Sequence, residues 1–479
     1  PYVVKHYKEA QRMYHLCERL DREVNVSNPD FMRQAEDNFL LYAEHTWGHS
    51  STITNPYDTM VQNLDIRNTS YASKAHEASA KNLNRITHKL GDKLRYYDTN
   101  GKIKSINATH QSGKKVVEFY VETMKLPAIK ITNEQTGEEL SAQLSPHPRG
   151  VLVSFVDTFE PFEHKVYLYE EQPEEQTIHN TCIAYIGAER IKDIVNNYDA
   201  LTYTLPYGIE NDYFKISYEI GKGVTSFYNK VDEKEMLKDG YAKFFTPVYE
   251  NTEIRTDVYE ERRIIGRNIR GLHAQQYQGK LIDMKCLEAG KIFTSIELVY
   301  QLEGTHFSSV VIKLYHDLPK IDFKYKVAKT LSEDIESIYL PLALELSQDE
   351  MYINKGDTIM RPGVDQIPGT CMEYYTLDDG IVYEGEQSSI LIQTKDTPLI
   401  YMGELKHHPI LLCDNKEENN KRDVYSWIMN NTWETNFKMD LSGFTEFCYS
   451  LDLIKTNDIK TSFEVLKDNS FGVVTFITN

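Results

Sequence analysis

Cysteine is sparse and unpatterned in this chain. The six residues, Cys17, Cys182, Cys286, Cys371, Cys413 and Cys448, form no CxxC pair, which excludes zinc knuckles and a disulfide framework and leaves buried thiols as the expected state. Tryptophan is limited to Trp47, Trp427 and Trp433. No apolar run approaches the roughly 20 residues of a membrane-spanning helix, and no basic-then-apolar leader opens the chain. Positive charge is short as well: 53 Lys and Arg stand against 72 Asp and Glu, a formal charge of −19. Nucleic acid and anionic membrane both reward a basic face, so neither is an expected partner, and a cytoplasmic location is expected. The patterns GxxxxGKS/T, strand–GxGxxG–helix and GxSxG are missing, which excludes the common nucleotide loops and the nucleophile elbow. The chain begins at Pro1, without a methionine and inside a helical pattern, so an upstream part is expected.

What is present is 479 residues, enough for two or three domains, with 33 tyrosines. Val3, Val4, Tyr7, Met13, Tyr14, Cys17 and Leu20 keep a helical period. Asn28-Pro29-Asp30 offers a capping residue beside a proline, a start signal for a second helix with Phe31, Ala35, Phe39, Tyr42 and Ala43 on one stripe. A third helix is expected from Asn68 to Tyr97. Three amphipathic helices predict a bundle over residues 1–100. At Asp98-Thr99-Asn100-Gly101 a turn signal marks a change of period. Alternating stretches such as Lys114–Met124, Ala128–Thr132, Gly150–Val156 and Lys165–Tyr169 predict a small β-sandwich over 101–199. Longer strands then continue to the end, and with no strong helix between them they predict one large antiparallel double-sheet domain over 200–479. The fold class is α+β and multidomain.

Ligand-type residues gather in a few places. In AEHTWGHSST, residues 43–52, His45 and His49 stand four apart at a helix C-terminus. Two such imidazoles chelate a divalent metal if the last turn persists past Gly48; otherwise they are hydrogen-bonded histidines at a helix end. The stretch YHDLPKIDF, 315–323, brings His316, Asp317 and Asp322 together, as ligands or as plain Asp/Pro turn chemistry. PYGIENDYFKISYEIGKGVTSFYNK, 206–230, reads as a hairpin with a polar lead-in. RPGVDQIPGTCMEY, 361–374, holds Arg361, Asp365 and Gln366 in a loop, the kind of place where binding groups sit on a rigid sheet, or simply a loop. WIMNNTWETNF, 427–437, combines two tryptophans with three asparagines. An aromatic face packs on the apolar side of a pyranose while amides bond hydroxyls in both directions; a buried aromatic strand with satisfied asparagines explains the stretch equally. Carboxylates for glycoside chemistry are selected by their separation in space and are not identifiable from spacing.

The order of these pieces resembles glycoside hydrolase family 38, the α-mannosidases: a helical bundle with a His-containing turn, a small sandwich, then ENDYFKISYE, GKGVTSFYNK, LYHDLPKIDF, a DQIPGT loop and MNNTWETNF. The likeness spans the whole chain and corresponds to the C-terminal half or so of a family member. It implies retaining hydrolysis assisted by a divalent metal, usually zinc, with the nucleophile and most metal ligands on an N-terminal domain. His45 matches the family's late histidine ligand; Thr46 stands where the family usually has aspartate, which points to a divergent subgroup. The resemblance implies a mutarotase-like large sandwich, no catalytic residue in these 479, one metal ligand (His45), and a substrate wall for which Trp47, Arg361, Asp365, Asn430, Asn431 and Trp433 are the candidates. The implied partner is a mannoside-type glycan. Competing readings are a non-catalytic carbohydrate-binding or scaffold module, and a bundle and sandwiches serving homo-oligomer contacts.

Overall fold

The computed structural model describes residues 2–479 except 45–46, 124–125, 174–183, 186–187, 193–198, 204–206, 238–239, 241, 255–272, 346–349, 409, 414–422, 433–436 and 457, and it leaves undescribed the side chains of 2, 184–185, 188–192, 199–203 and 207. Three packed helices followed by antiparallel sheets make the α+β architecture expected from the period change. Helix α1 spans Tyr2–Val24, α2 Pro29–Ala43 and α3 Thr59–Leu90. Asn28 caps α2, its side chain accepting from the Asp30 backbone N–H, with Pro29 in the first turn where its missing N–H costs nothing. The third helix starts and stops earlier than its apolar stripe predicts. Asp58 caps its beginning, and Gly91 ends it at φ 115, a left-handed conformation that only glycine adopts without strain. Leu94 and Tyr97 are therefore exposed beyond the helix rather than part of its buried face.

Cys17 and Leu20 of α1 meet Ile86 and Leu90 of α3 at one end of the bundle, and Val3, Tyr42 and Ala72 pack at the other. None of the five described cysteines is in a disulfide. The small sandwich faces a three-stranded sheet with a five-stranded one. Its edge strand comes from the far end of the chain: Val473–Thr478 pairs antiparallel with Gly101–Asn107, placing Thr478 opposite Lys102. A fourth helix, α4 (Ile459–Asp468), leads into that strand and was not expected from the sequence; Phe463 and Leu466 seat it on Val382 and Leu391. Ala184–Tyr185 pairs with Tyr207–Glu210 and so lies in a sheet of the large unit. The segments 101–199 and 200–479 thus exchange strands at both ends.

In the large unit a nine-stranded sheet is covered by a five-stranded and a six-stranded sheet, and one continuous core joins all three through residues such as Phe227, Phe323, Tyr325, Ile338 and Tyr449. Near one end a buried ion pair crosses between sheets: Lys329 Nζ lies 2.5 Å from Glu336, whose carboxylate also accepts from the Tyr249 hydroxyl at 2.5 Å. Burial pushes the Glu336 carboxyl up, against the opposing pull of Lys329.

The bundle is fastened to the large sandwich by one basic stripe on α1. Lys5, Lys8, Arg12 and Arg19 recur at helical spacing. Lys5 donates to the Glu446 carbonyl at 3.3 Å, Lys8 to the Asp378 carbonyl at 3.1 Å, Arg12 lies 3.3 Å from the buried Asp396, and Arg19 lies 2.8 Å from Asp468 of α4. This contact sets the position of α2 and α3 over the end of the sandwich.

Candidate functional site

The turn after α2 decides the geometry. The helix ends at Ala43, and Glu44 is already extended (φ −63, ψ 138). The helix does not extend to His49. His49 instead precedes the short 3₁₀ turn Ser50–Thr52 and caps it, its Nδ1 accepting from the Ser51 N–H at 3.1 Å. Thr46 and the expected metal ligand His45 lie outside the described residues. Among the described residues no group of three or more His, Cys, Asp or Glu is arranged to hold a metal ion. They do not make a divalent-metal centre by themselves.

Trp47 emerges from this turn with its ring edge-on to Tyr42 (centroids 5.1 Å, 89° between planes). It lines a cavity of about 370 Å³ in the seam between bundle and large sandwich. The opposite wall is the strand Val424–Asn430 and the segment after it, including Trp427, Asn430 and Phe437. Trp427 is buried in an aromatic group, stacked on Tyr339 with centroids 5.6 Å apart, and forms the apolar floor. Asn430 is half-buried and lines the cavity, and its side-chain amide makes no hydrogen bond with the described residues. Phe437 is 40% exposed at the rim. Carboxylates complete the lining. Asp396 is held from behind by Arg12 and by the Cys448 N–H at 2.8 Å, Asp440 accepts from the Ser442 N–H at 2.7 Å, and Asp65 of α3 pairs with Lys438 at 3.3 Å. Burial pushes the Tyr42 hydroxyl up. An aromatic ring, a free amide and carboxylates around a mostly apolar cavity suit a neutral polyhydroxylated ligand.

The other candidate residues have their polar groups spoken for. Asn431, next to Asn430 and also on the cavity wall, is saturated by backbone: its Nδ2 donates to the Asp334 and Met439 carbonyls, both at 2.8 Å, and its Oδ1 accepts from the Glu336 N–H at 2.7 Å. It ties two strand ends together, and these bonds occupy the amide that would otherwise meet a ligand hydroxyl. Arg361 and Asp365 do not line the seam. They grip each other, Nε to Oδ2 at 3.0 Å and Nη2 to Oδ1 at 2.9 Å, within an exposed loop that Gln366 closes through Gly363, Thr370, Cys371 and Tyr375. Trp433 lies outside the described residues. In the 315–323 turn His316 bonds Thr294 at 3.1 Å, and Asp322 is held by Tyr315 at 2.8 Å and Lys320 at 3.3 Å. Asn211 of the polar lead-in is buried, donating to the Tyr315 carbonyl at 2.7 Å. Asp65 and Lys438 were missed in the sequence; neither stands in a motif, and only the docking of α3 on the sandwich brings them together.

No family model matches the sequence, and no curated protein matches it by sequence. Solved structures do match in three dimensions. An α-mannosidase from Enterococcus faecalis superposes with a TM-score of 0.63, covering 99% of this chain and 57% of that protein. This chain has the fold of the C-terminal part of family-38 α-mannosidases. A second protein of glycosyl hydrolase family 38 from the same organism gives a TM-score of 0.62 over 99% of this chain and 59% of its own. Identity is 9% in both cases, so the likeness is one of fold, and the chain spans less than two thirds of either protein. A galactose mutarotase related enzyme from Lactobacillus acidophilus covers 53% of the chain at a TM-score of 0.29, a level that carries no argument about the large sandwich.

Proposed function

We propose that this chain is part of a retaining, metal-dependent glycoside hydrolase similar to the α-mannosidases, and that its seam cavity forms a wall of the glycan site. The observation that carries the reading is the pairing, in one cavity, of the Trp47 ring with the Asn430 amide, which makes no hydrogen bond among the described residues. Trp47 packs on the apolar face of a pyranose and Asn430 bonds its hydroxyls in both directions. The α-mannosidase-type fold of the whole chain supports the choice of a mannoside. His45 enters as one ligand of a zinc-type cation whose remaining ligands lie elsewhere; one histidine is far below the roughly four that zinc takes. The chain by itself is therefore expected to bind glycoside without hydrolysing it.

The test is a tryptophan-fluorescence titration with methyl α-mannoside, paired with an assay for release of nitrophenol from nitrophenyl α-mannoside. Saturable binding that weakens at least about tenfold in Asn430→Ala, without turnover, is expected; loss of one well-placed hydrogen-bonding group is worth about that much. Binding unaffected by Asn430→Ala, or turnover by the chain alone, contradicts the reading.

A further inference from the structure

A second cavity, about 290 Å³, lies beside the first along the same seam. Four residues line both: Trp47, Asp65, Lys438 and Asp440. The second is walled otherwise by the start of α3 and the turn before it, with Tyr57 and Ile66 exposed at its rim and the amide of Gln62, which has no hydrogen bond among the described residues, at its side. The ion pair of Asp65 with Lys438 stands between the two chambers, joining α3 to the segment that follows the strand Val424–Asn430. Its side chains are 23% and 42% exposed. A pair so open to solvent is weakly held.

From this arrangement we infer that the two cavities are one groove for a neutral glycan of at least two sugar units, and that Lys438 is the residue that recognises the junction between them. The inference rests on the carbohydrate reading of the seam. When a disaccharide lies across the divide, Asp65 exchanges the ammonium for sugar hydroxyl donors, and Lys438 turns its three donors to the ether and hydroxyl oxygens at the junction. Neither charge is left without a partner, so the exchange avoids the penalty of an unpaired charge. Trp47, common to both chambers, offers its ring beside the junction. The charge of the groove sets a second selectivity. Asp65, Asp396 and Asp440 line it against the single ammonium of Lys438, with Arg12 and Lys5 lying behind Asp396. A uronic acid or phosphorylated sugar adds a like charge and is disfavoured.

Calorimetric titration of the intact chain with methyl α-mannoside and with a panel of α-linked mannobiosides tests this. At least one disaccharide is expected to bind ten times or more tighter than the monosaccharide. Lys438→Ala and Gln62→Ala are each expected to reduce that preference to threefold or less, and Gln62→Ala, which lines only the second cavity, to leave the monosaccharide affinity within a factor of two. Equal affinity for monosaccharide and every disaccharide, or a preference that survives both substitutions, overturns the two-chamber groove and leaves the carbohydrate reading standing. Absence of binding by all of them overturns both.

Discussion

Two stretches of this chain look alike in sequence and behave differently in space. Residues 361–374 and 427–437 are both rich in polar side chains; the first follows a strand of the large sandwich and the second begins inside one. The first spends its polar groups on itself: Arg361 holds Asp365, and Gln366 closes the loop through four partners. The second divides the labour between adjacent residues. Asn431 is fully bonded to backbone, while Asn430 is left open on a cavity wall. Composition identifies where polar chemistry is concentrated, and the free partner count decides whether a ligand has anything to bind.

The largest expected effect tests the frame beneath the second stretch. Glu336 is tied through its backbone N–H to Asn431 and through its side chain to Lys329, with almost no exposure of either charged group. Lys329→Met leaves a buried carboxylate unpaired and is expected to lower unfolding stability by about 3–5 kcal/mol in denaturant titrations. Adding Glu336→Leu is expected to restore most of it; a double variant as unstable as the single one breaks the account of the pair. Next comes Asn431→Ala, which strands one N–H and two carbonyls. A loss of roughly 2–4 kcal/mol is expected, at about 1–3 kcal/mol per buried orphaned group with some relaxation, while Asn430→Ala leaves the midpoint unchanged. Equal midpoints for the two variants erase the distinction between the asparagines.

The 315–323 turn sharpens the same comparison through pH. Burial pushes the Asp322 carboxyl up, but Lys320 at 3.3 Å and Lys395 at 3.9 Å outweigh it and hold the group well below the usual carboxylate range. A carboxyl depressed on folding stabilises the protein above its unfolded value, about 3.9, and the contribution is lost as pH falls below that. Stability is expected to drop more steeply between pH 5 and pH 3 in the natural chain than in Asp322→Asn; parallel curves contradict a paired Asp322. The smallest effect belongs to the closed loop. Arg361→Ala is expected to leave both the denaturation midpoint and saccharide binding unchanged, since an exposed ion pair contributes little.

Much of the fold was legible because period and turn chemistry are local. The Asn28-Pro29 start, the Asn100-Gly101 border and the hairpin strands Phe214–Glu219 and Gly223–Asn229 all sit where their residues put them. The pattern of Phe471–Thr478 predicts a strand, but nothing local says that the strand, Val473–Thr478, pairs with Gly101–Asn107 across the length of the chain. Helix α4 was hidden in a run of predicted strands, although Phe463 and Leu466 keep helical spacing. For the site, the aromatic and amide mixture of 427–437 carried a real signal, yet it could not separate Asn430 from Asn431. Both line the cavity, and what separates them is the backbone folded around Asn431, which takes up its amide and which no local pattern announces. The pairing of Asp65 with Lys438 spans two domains and leaves no trace in spacing.

The central claim is that the open amide in the seam, and not the closed loop, meets sugar. It is read most directly from the side-chain amide resonances of a chain labelled with nitrogen-15 at asparagine, the Asn430 signal being assigned by its loss in Asn430→Ala. On addition of methyl α-mannoside the Asn430 signal is predicted to shift saturably while the Asn431 signal stays in place. An Asn430 signal that does not move at saccharide concentrations giving saturation by fluorescence would contradict the account.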